Sequence, residues 1–240
     1  MGAQIKYLGK CLLIEVSGKR ILVIGDLHLG FEESLNESGI LVSRRMFDEM
    51  VEELDGLFDE IGRVDEIVLL GDVKHAFGRV IRQEWNEVLK LIDYFSEKCD
   101  KIIIIKGNHD RAIELIARKR ENVEVKDFYC CEEVCFLHGD RDFAGIYRDG
   151  IKYWIIGHGH PAVKIKEKGG VRIEKYKCFL IGKFKDKKVI IAPSFFDYSE
   201  GSDPRENDLR LAWKFDLRNF DVWIVSGLGV LEFGKLRKLI

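Results

Sequence analysis

The six histidines are the residues of this 240-residue chain that point most directly to chemistry. Each lies in a polar loop that follows an apolar, strand-like run and contains glycine. An imidazole can bind a metal ion or transfer a proton near neutral pH. One histidine at a strand end is commonly structural, but six in such loops predict a functional site. They are His28, His75, His109, His138, His158 and His160.

The same loops contain oxygen donors as well as imidazoles. They read VIGDLHLG, LLGDVKHAFG, IKGNHDR, FLHGD and IIGHGHP, and they add Asp26, Asp72, Asn108 and Asp110. Loops at the carboxyl ends of strands can aim side chains into one crevice. A donor set without cysteine suits manganese, iron, zinc or cobalt better than a structural zinc ion, and it has too many histidines for calcium.

The stretch GHGH leaves open whether it is a structural accident, serves one ion or serves two. In an extended backbone His158 and His160 project to the same side, about 6.5–7 Å apart along the strand. That separation is wide for holding one ion. It suits one ligand for each of two neighbouring ions.

The order D-x-H, GD, GNH(D), H and GHxH resembles the calcineurin-like metallophosphoesterases over residues 26–160. Within that superfamily, GDVKHAFG and PSFFDYSEGSDPREN resemble the archaeal and bacterial ICC-like phosphoesterases. The resemblance implies a site for two divalent ions. Asp26, His28 and His160 would hold one ion, Asn108, His138 and His158 the other, and Asp72 would bridge them. It also implies that His109 contacts the phosphate and protonates or stabilises the leaving group.

One position departs from the pattern of several relatives. They have an aspartate three residues after the bridging aspartate, where it orients the GNH histidine, and this chain has His75. His75 is expected to contact phosphate, to form a supporting hydrogen bond, or to face solvent. Arg79 and Arg205 are predicted to bind substrate. Phe195 and Phe196 are expected either to stack on a base of the substrate or to pack in the core under their loop.

The predicted chemistry is hydrolysis of a phosphate ester. Two ions sharing a carboxylate lower the pKa of a bridging water, and the resulting hydroxide attacks phosphorus. Two divalent ions, two aspartates and one hydroxide leave the site near +1, which suits an anionic ester. The leading hypothesis is a phosphodiesterase acting on nucleotides or nucleic acid, with manganese preferred and iron, zinc, cobalt or nickel as alternatives. The other hypotheses are a phosphomonoesterase or protein phosphatase, and a DNA-processing accessory subunit with a partner protein.

Alternating strands and helices followed by a strand-rich half predict an α/β fold. We expect two mixed β-sheets packed face to face with flanking helices, the αββα metallophosphoesterase sandwich. Helices are predicted at about 43–61, 81–98 and 112–119. Residues 1–240 are expected to form a single domain, with the motifs in about 20–195 and the C-terminal strands completing the sandwich.

Composition and charge are those of a globular protein rather than a membrane protein. The chain is 46% hydrophobic, 33% charged and has a net charge of −2. No run reaches the roughly 18 apolar residues of a membrane span, and no signal peptide is apparent, so a cytoplasmic location with free cysteine thiols is expected. The absence of threonine and the many charged residues are typical of proteins from thermophiles. Residues 164–188 hold ten bases and three acids, which indicates a solvated face or a nucleic-acid-facing edge.

Overall fold

The structure is a computed structural model that describes residues 2–77, 81–166 and 172–239. Its helices are α1 (Phe31–Glu37), α2 (Met46–Ile61), α3 (Arg82–Lys98) and α4 (Ile113–Ala117). Its strands are β1 (Gln4–Leu8), β2 (Cys11–Val16), β3 (Lys19–Ile24), β4 (Val64–Leu69), β5 (Cys99–Ile105), β6 (Val123–Lys126), β7 (Phe128–Cys131), β8 (Val134–Leu137), β9 (Tyr153–Ile156), β10 (Ala162–Lys166), β11 (Ile173–Phe184), β12 (Lys187–Ile191), β13 (Asp221–Ser226) and β14 (Gly229–Lys235).

The first sheet has the order β1-β2-β3-β4-β5-β6. Its first three strands form antiparallel hairpins, and β3 to β6 run parallel. Strands of a parallel sheet are buried on both faces and read as continuous apolar runs. The four isoleucines at the end of β5, residues 102–105, are fully buried in this way.

The second sheet has the order β14-β13-β11-β12-β9-β8-β7, and β10 pairs with β11. Around its centre, β9 runs parallel to both β8 and β12. The ends of β8 and β9 therefore reach the same edge of the sheet, which brings together the loops that follow them.

Side chains that alternate along the strands separate the core into layers. On β3, Ile21 and Val23 face the second sheet, where they share a cluster with Phe136, Ile155 and others. Leu22 and Ile24 face the opposite way, into a cluster with the apolar stripes of α2 and α3. The two sheets thus pack face to face.

The outer faces of the two sheets are covered differently. Residues of α2, α3 and α4 pack on the first sheet. The second sheet is covered by a cluster that includes Trp154, Trp213 and Phe220, where short 3-10 turns and irregular chain replace α-helices among the described residues. The predicted fold class, two mixed sheets with flanking helices, is confirmed.

Two local features differ from expectation. Helix α2 begins at Met46 rather than near Ser43, because the buried Glu32 carboxylate accepts the N–H groups of Arg45 at 2.8 Å and Met46 at 3.1 Å. Glu32 lies on α1, a helix that the sequence patterns did not predict.

The expectation of free thiols is wrong for one cysteine pair. Cys130 and Cys135 lie directly opposite each other on β7 and β8, with their Cα atoms 4.1 Å apart, and form a disulfide. The free cysteines are Cys11, Cys99, Cys131 and Cys178.

None of the described helices is both long enough and apolar enough to cross a bilayer.

Candidate metal centre

The predicted ligands occupy loops at the ends of strands in both sheets. Asp26 follows β3, Asp72 follows β4 and Asn108 follows β5 in the first sheet. His138 follows β8 and His158 follows β9 in the second. The strands that precede these loops run parallel within each sheet, so the loops of one sheet emerge at a single edge. The loop-bearing edges of the two sheets lie side by side.

One cluster contains Asp26, His28 and His160, whose ligand atoms all lie within 4.8 Å of one another. The His160 Nε2 lies 3.1 Å from Asp26 Oδ1 and 3.4 Å from His28 Nε2. These are the three residues that the resemblance assigns to one ion.

A second cluster contains Asp72, His138 and His158, again with ligand atoms within 4.8 Å. The His138 Nε2 lies 3.0 Å from His158 Nδ1 and 3.0 Å from Asn108 Oδ1. Asn108 is thereby part of the same group. The structure brings together the residues assigned to the other ion.

Asp72 connects the two clusters through one oxygen atom. Its Oδ2 lies 3.5 Å from His138 Nε2 in the second cluster and 4.0 Å from His28 Nε2 in the first. Its other oxygen, Oδ1, accepts the backbone N–H of His109 at 2.9 Å. A carboxylate placed between two sets of nitrogen donors is the arrangement by which two ions share a ligand.

The donor atoms have the lone pairs that divalent ions need. The His138 Nδ1 donates to the Leu70 carbonyl oxygen at 2.8 Å, so in a neutral ring its Nε2 carries a lone pair. Burial lowers the pKa of His138 to about 4, which keeps the ring neutral. That lone pair faces Asn108 Oδ1 at 3.0 Å and Asp72 Oδ2 at 3.5 Å, and the latter becomes an acceptor when the Asp72 carboxyl loses its proton. Nitrogen and oxygen atoms that converge in this way fit divalent ions.

The ligand loops adopt strained backbone conformations. Among described residues other than glycine, eight have positive φ, and four of these are predicted ligands. Their φ angles are 48° at His28, 47° at Asp72, 61° at His158 and 41° at His160. Such conformations persist where the surroundings enforce them, and they concentrate at functional sites. The extended geometry expected for GHGH is therefore wrong, although His158 and His160 do fall in different clusters.

Two glycines allow the loops to approach closely. A Cβ atom on Gly71, whose φ is 100°, would lie 2.6 Å from His138 Nδ1. A Cβ atom on Gly107 would lie 2.3 Å from Asp72 Oδ1. Any larger residue at either position would displace a ligand.

The two aspartates have opposite pKa shifts. Burial raises the pKa of Asp72 to about 9, and the charges of Asp26 and Asp110 add to that effect. Burial would also raise the pKa of Asp26, but the charges of His160, His138 and His28 and the His160 hydrogen bond hold it below its usual range. Ions that bind here must displace a proton from Asp72.

His109 lies beside the two clusters without belonging to either. Its Nδ1 donates to the backbone carbonyl oxygen of His75, and its Nε2 lies 3.9 Å from Asp72 Oδ2. The carbonyl of residue 75 thus takes the orienting role that a carboxylate side chain at this position has in several relatives. Burial lowers the pKa of the His109 imidazole.

The ring of His75 lines the cavity next to His28, with ring centroids 5.4 Å apart. Its Nδ1 is buried and has no hydrogen-bond partner within the described part of the chain. Burial lowers the pKa of His75 to about 4. This position does not match the solvent-facing alternative.

Asp110 has a role that the sequence did not reveal. Its fully buried carboxylate accepts the N–H groups of Val73 at 3.3 Å, Lys74 at 3.2 Å and Gly107 at 3.1 Å. Burial raises its pKa to about 6, although these hydrogen bonds oppose the shift. Asp110 therefore joins the Asp72 loop to the Asn108 loop. The only sequence signal was its place in GNHD.

The predicted substrate arginines are not part of the described cavity wall. Arg79 lies outside the described residues. Arg205 pairs with the fully buried Asp203, with Nη2 2.7 Å from Oδ2, and it also donates to the carbonyl oxygens of Lys164 and Leu239. These contacts fix the C-terminal loops on β10, so we do not retain Arg205 as a phosphate clamp.

The aromatic and basic segments also have structural partners. Phe195 and Phe196 are buried, which favours the core role over base stacking, and Phe196 also borders the cavity. Lys164 pairs with Glu206, and Lys177 donates to the carbonyl oxygens of Ser194 and Phe196. Residues 167–171 of the basic segment lie outside the described residues.

Comparison with known proteins agrees with this geometry. The model of the calcineurin-like phosphoesterase family matches residues 19–227. The fold is similar to the crystal structure of the nuclease MPE of Pseudomonas putida, with a TM-score of 0.61 and 18% identity over 97% of this chain and 100% of that one. No curated protein sequence gives a match. The chain belongs to the calcineurin-like phosphoesterases, and it is a metal-dependent phosphoesterase.

Proposed function

We propose that this protein is a phosphodiesterase that hydrolyses nucleotide or nucleic-acid diesters. The observation that carries the proposal is the position of Asp72 Oδ2, which faces nitrogens of both histidine clusters, with His109 beside it. The Pseudomonas putida protein of similar fold is named a nuclease, and nucleases hydrolyse phosphodiesters.

In this proposal seven residues hold two divalent ions. Asp26, His28 and His160 hold one, Asn108, His138 and His158 hold the other, and Asp72 is shared. When bound, such ions activate water and neutralise phosphate oxygens. The donor set favours manganese, with iron, zinc, cobalt and nickel as alternatives. Cytoplasmic location and a DNA-processing partner stay predictions of the sequence.

His109 is proposed to be the catalytic acid. Its Nδ1 is committed to the His75 carbonyl oxygen, which leaves Nε2 as the atom that gains or loses a proton. Once protonated, Nε2 can donate to the oxygen of the departing group. The carbonyl favours the imidazolium, because its hydrogen bond to Nδ1–H is stronger when the ring is charged.

The lining of the cavity favours a diester over a monoester. A monoester dianion needs more positive charge than a diester monoanion. Within the described residues, Lys175 is the only lysine or arginine that lines this cavity of about 520 Å³, and Glu200 lies 3.7 Å from its Nζ. The described part of the wall therefore supplies too little positive charge to select a dianion.

The test is a comparison of bis-p-nitrophenyl phosphate with p-nitrophenyl phosphate in the presence of Mn²⁺. We expect a higher kcat/KM for the diester. A higher value for the monoester would favour a phosphomonoesterase. No release of nitrophenol with Mn²⁺, Co²⁺, Ni²⁺ or Zn²⁺ would reject a phosphodiesterase.

A further inference from the structure

Two aromatic rings near the metal centre expose an unusual fraction of their surface. Phe77 is 61% exposed and Tyr198 is 49% exposed, whereas Phe196 between them is 4% exposed. Single exposed aromatic residues are ordinary on a protein surface. Here Tyr198 lines the cavity and Phe77 packs on His109 of its wall, and two exposed rings so close to one site indicate a surface that is covered when substrate binds.

Phe77 lies on the leaving-group side of the site. Its ring centroid is 3.7 Å from that of His109, and this is the shortest ring contact in the described part of the molecule. His109 is the group proposed to protonate the leaving oxygen. A ring that packs on His109 must therefore lie next to whatever the leaving oxygen carries.

Tyr198 lies at the other end of a row of rings. Ring contacts run from Phe77 to His109, His28, Phe196 and Tyr198, with centroid separations of 3.7, 5.1, 5.5 and 6.1 Å. Tyr198 lines the same cavity as His160. Its hydroxyl donates to Glu49 Oε2 of α2 at 3.2 Å, which fixes the ring while leaving a face open.

We propose that Phe77 and Tyr198 are stacking platforms for the two bases that flank the scissile phosphate of a single-stranded nucleic acid. The inference rests on the proposed phosphodiesterase function and adds the substrate class. Every base offers a flat face to an aromatic ring, so such platforms bind single strands with little sequence preference. In a duplex, neighbouring bases cover those faces. A duplex is therefore not expected to bind at this position.

The experiment uses four dinucleotides with Mn²⁺: dithymidine phosphate, the two forms that lack one base, and the form that lacks both. For wild-type protein, each base should raise kcat/KM by roughly tenfold. In Phe77→Ala the advantage of one base should disappear, and in Tyr198→Ala the advantage of the other. Each variant is thus judged by the ratio of rates with and without a base, which a general loss of activity does not change.

Matched variants separate stacking from other effects. Phe77→Tyr and Tyr198→Phe keep the rings, and both should keep the base advantage. Tyr198→Phe also removes the hydrogen bond to Glu49, so a loss there would assign the effect to that bond and overturn the platform. Phe233→Ala removes an aromatic residue that is 44% exposed on β14, away from the cavity, and should change no ratio.

A second arm tests strand preference. A twelve-nucleotide single strand should be cleaved faster than the same strand in a duplex, and the preference should shrink in the Phe77→Ala, Tyr198→Ala double variant. Equal rates for all four dinucleotides in wild-type protein would overturn the inference. If bis-p-nitrophenyl phosphate were cleaved but no dinucleotide were, the phosphodiesterase would stand and the inference would fail. If neither were cleaved, both would fail.

Discussion

The two sheets supply different atoms to the candidate metal centre. The first sheet provides the oxygen donors, Asp26, Asp72 and Asn108, together with one imidazole, His28. The second sheet provides imidazoles alone, at His138, His158 and His160. Both carboxylates therefore come from the first sheet, whereas the second sheet supplies neutral ligands alone. Each cluster contains residues of both, so bound ions would link the two sheets.

The largest effect is expected for the shared carboxylate of the first sheet. Asp72→Asn should lower kcat/KM for bis-p-nitrophenyl phosphate by at least roughly 10⁴-fold, because several kcal/mol of catalysis depend on each ion. Kinetics at saturating Mn²⁺ and metal content by mass spectrometry check this result. Because burial raises the pKa of Asp72 to about 9, the neutral asparagine should leave the metal-free fold intact. A metal-free variant that unfolds would make the kinetic loss uninformative.

The imidazoles His158 and His160 of the second sheet should each affect the binding of a different ion. His160→Ala and His158→Ala should each reduce the bound metal from two ions to one, with an activity loss of roughly 10³-fold. The reason is that His160 lies with Asp26 and His28, whereas His158 lies with Asp72 and His138. Titration with Mn²⁺ followed by calorimetry counts the remaining sites. Loss of both ions from either variant would show that the two clusters are not independent.

His109 belongs to a loop of the first sheet but is not a predicted ligand. Its substitution should therefore change the rate of catalysis without changing metal binding. His109→Ala should lower kcat for bis-p-nitrophenyl phosphate by roughly 10²-fold and leave metal content unchanged. The loss should be larger for a diester with an alkyl leaving group, because such a group needs protonation more. Equal losses for both substrates would contradict the role as an acid.

Asp110 tests how the loops of the first sheet are held together. Asp110→Asn keeps one acceptor oxygen but turns an NH₂ group toward backbone N–H donors. It should lower the free energy of unfolding by about 1–3 kcal/mol and the Mn²⁺ affinity by roughly 10- to 100-fold. Denaturant unfolding and metal titration measure the two effects. Unchanged affinity would show that the loops keep their positions without this carboxylate.

Arg205 should have the smallest effect on activity. Arg205→Ala removes the partner of the buried Asp203, so the free energy of unfolding should fall by about 1–3 kcal/mol. KM for a diester should stay within about twofold of wild type, since the guanidinium is occupied away from the cavity wall. A large rise in KM would restore the phosphate clamp.

The sequence was most informative about the ligand loops. Apolar runs that end in Gly-Asp, Gly-Asn-His or Gly-His-Gly-His mark strand ends, and parallel pairing then brings Asp26, Asp72 and His138 to one place. The grouping into two clusters also agrees with the resemblance to a family. Chain order and residue type were sufficient to predict the strand-end loops, whereas the grouping of the ligands came from the resemblance.

Other features depend on atoms that a sequence pattern does not specify. A backbone carbonyl at residue 75 orients His109, and any residue type could supply it. The capping of α2 by Glu32 and the joining of two loops by Asp110 are contacts between distant segments. The contacts of Arg205 likewise depend on distant segments, because its guanidinium donates to carbonyl oxygens of β10 and of the C-terminus.

The left-handed backbone at four ligands has a consequence for engineering this fold. Each of these positions disfavours an ordinary side chain by roughly 1 kcal/mol, whereas glycine or asparagine would relax it. A version that had given up catalysis could therefore become more heat resistant at His28, Asp72, His158 and His160. In the absence of metal, selection for thermal tolerance alone would favour the loss of these residues, so a screen for stable variants must also select for turnover.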